Sequence, residues 1–361
     1  MFKRALASVA IAAAALIFAP SAVAQVHHAF DAQIMQAPVV VPGPNGPRLV
    51  YELHLTNFAG ATLTLTRVDV TYQEAGSTLA TYEGAALDAV LSGAGPLAPG
   101  ASRRAIAPGA RAILYVSAPT NGIFAPSAIG HRIFFERERD GAVSSAVIGT
   151  GETPLDERDL PVLGPPLRDG PWVAVYHPSW ERGHRRVFYA VEGRARVPGR
   201  FAVDWMRAGG GDGRGAEVLA VADGVVVAMR DDFADAGSDL PATLENATGN
   251  YVAISIGNGR FAFYEHLAQD VRVHVGQRVR RGQVIGTLGA SGSVTQPHLH
   301  FHVSDANAPL QAEGLPYVLR YTPLGSYETI EAFRAGGPWG PHGGTITPSF
   351  PAPMMVVEFP D

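Results

Sequence analysis

The chain has no cysteine in 361 residues. Disulfides, thiol catalysis and thiolate metal sites are therefore excluded, and any bound metal must be held by His, Asp or Glu. Lysine occurs only at Lys3, so nothing beyond that point can be lipoylated or biotinylated. Long apolar runs are equally scarce. The one candidate, Ala5 to Phe18, follows the charged pair Lys3-Arg4 and precedes the small residues Ala22-Val23-Ala24. It is short for a membrane span and reads as a signal peptide over residues 1–24, with the mature chain starting at Gln25 and exported to a periplasm or beyond. No later stretch qualifies as a membrane span. Without residues 1–24 there are 26 basic and 33 acidic residues, a net charge near −7. An acidic chain of this kind is a poor partner for a nucleic-acid backbone.

The remaining length allows two domains. Residues 25–150 contain alternating stretches such as Val50-Tyr51-Glu52-Leu53-His54-Leu55 and Ala112-Ile113-Leu114-Tyr115-Val116, separated by segments rich in Gly, Pro, Ser and Ala. Several short strands in about a hundred residues predict an immunoglobulin-like β-sandwich. This unit carries no evident chemistry, which suits a spacer, positioning or docking module that contacts the cell wall or an envelope protein. Residues 151–170, rich in proline and charge, read as a linker. Residues 171–325 read as a second all-β unit, with tight turn signals at Asp223-Gly224, Gly257-Asn258-Gly259 and Gly289-Ala290-Ser291-Gly292. Residues 326–361, rich in Gly and Pro, read as a loosely ordered tail.

The second unit contains the run Pro297-His298-Leu299-His300-Phe301-His302. Alternation along a strand puts the three histidines on one face and Leu299 and Phe301 on the other. Imidazole is the commonest protein ligand for a transition metal, and zinc suits such a cluster. Upstream lie Arg200-Phe201-Ala202-Val203-Asp204-Trp205, Gly249-Asn250-Tyr251-Val252, Tyr264-Glu265-His266-Leu267, and the glycine-centred turns Val275-Gly276-Gln277 and Gly282-Gln283-Val284-Ile285-Gly286. In this order the motifs resemble the lysostaphin-like (LytM-type) zinc metallopeptidases that cut peptidoglycan cross-links, over roughly half of the mature chain. The resemblance implies a lysostaphin-like β-sheet peptidase domain of barrel-sandwich type. It also implies Asp204 and His300 as zinc ligands and His266 and His298 as catalytic histidines beside the attacking water.

One departure stands out. The family places a metal-binding His four residues before the Asp, where this chain has Arg200, and a guanidinium offers no lone pair to a metal. His184 is the candidate replacement, with His177 behind it and His302 as an outside alternative. His302 otherwise reads as a cleft-lining residue, and Arg200 as a partner of Asp204 or of substrate. His27 and Asp31 share the His-x-x-x-Asp spacing, but no strand pattern surrounds them, so it reads as coincidence. His54, His131, His274 and His342 read as surface or turn residues. The expected protein is an exported zinc metalloendopeptidase acting on peptidoglycan peptide. The alternative is a catalytically inactive relative that binds the wall or activates a wall amidase. Which bond is cut is not written in these motifs.

Overall fold

The computed structural model describes residues 27–72, 77–93, 100–120, 126–235, 243–341 and 348–360. The expected signal peptide and His342 lie outside the described residues. Among the described residues no helix is long and apolar enough to cross a membrane.

The chain is all-β, as expected. Its first unit is a sandwich of two antiparallel sheets. One sheet orders the strands Phe30–Ile34, Arg48–Asn57, Arg111–Pro119 and Leu91–Gly93; the other orders Ala142–Gly149, Ala128–Arg139, Leu63–Tyr72 and Ser77–Glu83. Alternation along Arg48–Asn57 sends Leu49, Tyr51, Leu53 and Leu55 inward, where Leu63, Leu65, Val68 and Val70 meet them from the facing sheet. Each such side chain contributes roughly 1.5–3 kcal/mol on leaving water.

Two histidines expected at the surface are buried. His131 is 2% exposed because its strand alternation places it between the core residues Ile129 and Ile133. Its Nε2 meets the Tyr51 hydroxyl at 2.7 Å and its Nδ1 the Thr150 hydroxyl at 3.2 Å, and burial pushes its pKa down to about 4. His54 is 3% exposed although it points away from the sandwich core. The second unit packs over that outer face, with the Phe188 ring 5.9 Å from the His54 ring. His274 is exposed, beside a turn. Asp31 is exposed within the strand Phe30–Ile34, a strand the sequence pattern did not reveal.

The second unit is built on an eleven-stranded antiparallel sheet. Its central order runs Gly224–Arg230, Asn250–Ser255, Phe261–Leu267, Leu299–Ser304, Val203–Arg207, Trp172–Val175, Met355–Glu358 and Thr322–Ser326. One face carries Val203, Trp205, Leu299, Phe301 and Tyr264 into a core closed by Val218 and Ile285 from a separate strand pair. Two segments differ from the sequence reading. Residues 151–170 are more than a linker: Val162–Leu163 pairs in parallel with Val318–Leu319, and Leu163 and Leu167 join the core. Residues 326–361 are more than a tail, because the apolar run Met355-Val356-Val357 supplies an interior strand of the large sheet.

The two units meet through a buried ion cluster. Glu52, on the outer face of the sandwich, accepts from Arg185 Nε at 2.6 Å through one oxygen and from Arg200 Nε at 2.8 Å through the other. Arg200 also donates to Glu313 at 2.6 Å. All four residues are at most 9% exposed. Burial alone would raise the Glu52 pKa, yet the Arg200 and Arg185 charges bring it down to about 2. A depressed carboxyl stabilises the fold above its unfolded pKa, and that contribution disappears as pH falls through the folded value. The expected contribution at neutral pH is about 3 kcal/mol, lost between pH values of about 4.5 and 2. Denaturant titrations of the wild type and Glu52→Gln should show a gap in stability at pH 6 that narrows towards pH 2.5. A gap independent of pH would contradict this.

Candidate metal centre

Strand register assembles the site. Asp204 lies directly opposite His300, and His300 lies opposite Glu265 on the next strand. Directly opposed residues share a face, so the three form a row on the face away from the apolar core. His300 Nδ1 stands 2.9 Å from Asp204 Oδ1. His184 reaches the same carboxylate from outside the sheet, at the start of the 3-10 turn His184–Arg186, with its Nε2 3.3 Å from Asp204 Oδ2. Its ring meets that of His300 edge-on, with centroids 4.6 Å apart. This close fit requires a glycine at 199, where an added Cβ would lie 2.9 Å from the His184 Cβ.

His184, Asp204 and His300 each offer a ligand atom, all within 4.8 Å of one another. Two imidazoles and one carboxylate suit a divalent transition metal and leave a coordination position free. The cluster is a carboxylate ringed by imidazoles. Burial would raise Asp204, but the neighbouring His184 and His298 and the hydrogen bonds from His184 and His300 hold it well below the usual carboxylate range. Burial opposes protonation of His184, yet the Asp204 charge and hydrogen bond raise its pKa above the ordinary value. His300 is lowered, chiefly by burial.

His298 immediately precedes its strand, with Nδ1 2.9 Å from the Gln296 carbonyl and Nε2 3.5 Å from Asp204 Oδ1. His266 occupies a bulge: Asn250 pairs with Leu267 and Tyr251 with Glu265, leaving position 266 unmatched. Its φ of 66° is left-handed, uncommon for a side-chain-bearing residue. The bulge re-aims its side chain, bringing the His266 ring to 4.7 Å from that of His298. His266 Nδ1 is 3.0 Å from the Ser291 carbonyl. Burial first, then neighbouring imidazoles, hold His266 well below its ordinary pKa.

The alternatives are placed elsewhere. His177 is exposed and bonded to the Ser179 hydroxyl at 2.6 Å. Arg200 binds Glu52 and Glu313 rather than Asp204. His302 is buried and stacked on Phe263 at 4.9 Å, in a second potential ligand group with Glu265 and His300. Glu265 was missed by the sequence reading; only its place in Tyr264-Glu265-His266-Leu267, on a strand that pairs with the His array, could have flagged it. A cavity of about 680 Å³ between the two units includes His184 and Asp204 in its lining, together with Trp180, Phe201 and Tyr115.

Peptidase family M23 matches residues 211–312, and the chain thus carries a domain of that family. The match contains Glu265, His266, His298 and His300 and begins after His184 and Asp204. Over 98 residues the chain is 38% identical to the peptidoglycan DD-endopeptidase ShyA of Vibrio cholerae, covering 27% of this chain and 20% of that protein. Over 90 residues it is 34% identical to the cell division protein DipM of Caulobacter vibrioides, covering 25% of this chain and 13% of that one. The chain thus spans about a fifth or less of the length of these curated relatives. Among solved structures, the catalytic domain of lysostaphin from Staphylococcus simulans is 22% identical, covers 41% of this chain and 88% of that chain, and has a TM-score of 0.25.

Burial pushes Glu265 up to about 8, against the pull of His184 and with the Asp204 charge adding to it. A carboxyl neutral in the fold and ionised when unfolded costs stability increasingly as pH rises between the two pKa values. Metal-free wild type should therefore lose roughly 3 kcal/mol more than Glu265→Gln between pH 5 and pH 8. Parallel slopes in denaturant titrations of the two proteins would refute this.

Proposed function

We propose that this protein is an exported zinc metalloendopeptidase that hydrolyses peptide bonds of bacterial peptidoglycan, in the periplasm or outside the cell. The observation that carries this reading is the convergence of His184, Asp204 and His300 within 4.8 Å, beside His266 and His298, in a chain with an M23 domain. The relatives named as peptidoglycan DD-endopeptidases support the substrate class. In domain terms, residues 1–24 direct export, 25–150 form the accessory sandwich and the remainder carries the peptidase.

His184, Asp204 and His300 would hold the zinc, which when bound supplies Lewis acidity to a water molecule and to the scissile carbonyl. The other two histidines have fixed tautomers. A backbone carbonyl only accepts, so Nδ1 of His266 donates to Ser291 and Nδ1 of His298 donates to Gln296. The Nε2 of His266 is left with its lone pair. Burial keeps His266 neutral near pH 7, the form needed to take a proton from the attacking water. Once protonated, the same nitrogen can return the proton to the departing amine. His298, against Asp204, is placed to donate to an oxyanion when charged.

The inactive-relative reading rests on Arg200 alone. In this proposal His184 replaces the imidazole that Arg200 cannot provide, and Arg200 is engaged elsewhere in the fold.

The test combines metal content with hydrolysis of purified peptidoglycan. Wild type should hold about one zinc, following the donor count of a catalytic site, and lose activity to a chelator. His184→Ala should bind zinc far more weakly, His300→Ala should lose it, and both should lose activity. His266→Ala should keep the metal while its rate falls by about 10²–10⁴. Unchanged hydrolysis in His300→Ala would sink the proposal, and a zinc-free wild type would favour the wall-binding or amidase-activating alternative.

A further inference from the structure

His184 does not stand on the sheet that carries Asp204 and His300; it sits on a turn of three residues. The sequel to that turn is anchored in the other unit. Arg185 is 8% exposed, and its guanidinium donates to Glu52 at 2.6 Å and to the backbone carbonyls of Tyr51 at 2.7 Å and Val116 at 3.0 Å. Those acceptors lie on two neighbouring strands of the sandwich. The Arg186 guanidinium lies over the sandwich residue Tyr115, 4.6 Å from the ring centroid.

The second oxygen of Glu52 accepts from Arg200 at 2.8 Å. Arg200 belongs to the 3-10 turn Pro198–Phe201, and Gly199 of that turn is pressed against His184. One sandwich carboxylate thus joins the two turns that enclose the third imidazole. Fixing both arginines through one bidentate acceptor restricts the turn far more than a single contact would.

We propose that Glu52 is a positioning residue for His184, so that the sandwich is a structural part of the metal centre and not a separable attachment module. This rests on the reading of His184 as a metal ligand. Arg200 then stabilises the ligand turn instead of ligating the metal: the position that cannot hold zinc holds the residue that does. Outer partners that orient a ligand commonly matter by 10–100-fold in metal affinity.

The experiment is a zinc-affinity cycle on the full chain, using competition with a chromophoric chelator. It compares wild type, Glu52→Gln, His184→Ala and the double variant, with zinc-free melting curves recorded in parallel. Glu52→Gln should weaken zinc binding by about tenfold or more and cause no further loss in the His184→Ala background. Such non-additivity ties Glu52 to the ligand, which a purely structural role would not do. Unchanged affinity in Glu52→Gln, or an equal loss in both backgrounds, overturns the proposal even if the melting temperature falls. Should Glu52→Gln not fold, Arg185→Lys retains the charge but not the three-way grip, and the same pattern is expected with a smaller loss; unchanged affinity there overturns the proposal as well. A wild type that binds no zinc defeats the metal-site reading beneath it, whereas zinc binding indifferent to Glu52 defeats this inference alone.

Discussion

Asp204 and His300 face each other across one pair of antiparallel strands, and the rest of the site depends on that register. A slip of one residue would send Asp204 into the apolar core and Trp205 or Val203 to the polar face. The slip is prevented by packing, because Val203, Trp205, Leu299 and Phe301 are all fully buried on the opposite face. The apolar half of each strand therefore determines where the polar half presents Asp204 and His300. Glu265 joins the row by the same rule, while His266 reaches the site only because a bulge breaks it.

The site also depends on burial that would be unfavourable without partners. Asp204 remains ionised because imidazoles surround it, and Glu52 because two arginines share it. Glu265 stands 3.9 Å from the buried His302 and beside no arginine among the described residues, and burial pushes its pKa up to about 8. These carboxyls stand in three settings: a ring of imidazoles, a contact between the two units shared by arginines, and a buried place in the row with Asp204 and His300. Removing one member of a buried charged group leaves the others uncompensated, so the domain interface is sensitive to single substitutions.

Much of this was legible in the chain itself. Alternation in Val50 to Leu55 and in His298 to His302 gave strands with correctly divided faces, and the ordered motifs pointed to the peptidase domain. Arg200 cannot bind metal, which points to a nearby His, and His184 lies against Asp204. What alternation does not reveal is which outer face another unit covers. His54 and Glu52 alternate like exposed residues and are buried only because the second unit packs on them. His131 was a different case: it occupied an inward position between Ile129 and Ile133, but a polar side chain there suggested the surface. Met355-Val356-Val357 was obscured by the Gly- and Pro-rich residues before it, although three consecutive apolar residues fit an interior strand.

In the proposed function His184 takes the place of a ligand that Arg200 cannot be. The most direct test of this is a crystal structure of the zinc-loaded protein with anomalous scattering measured at the zinc edge. One strong peak is expected, bonded to His184, Asp204 and His300, with Arg200 still bound to Glu52. A peak bonded to Glu265 and His302 without His184, or no peak at Asp204, would contradict it.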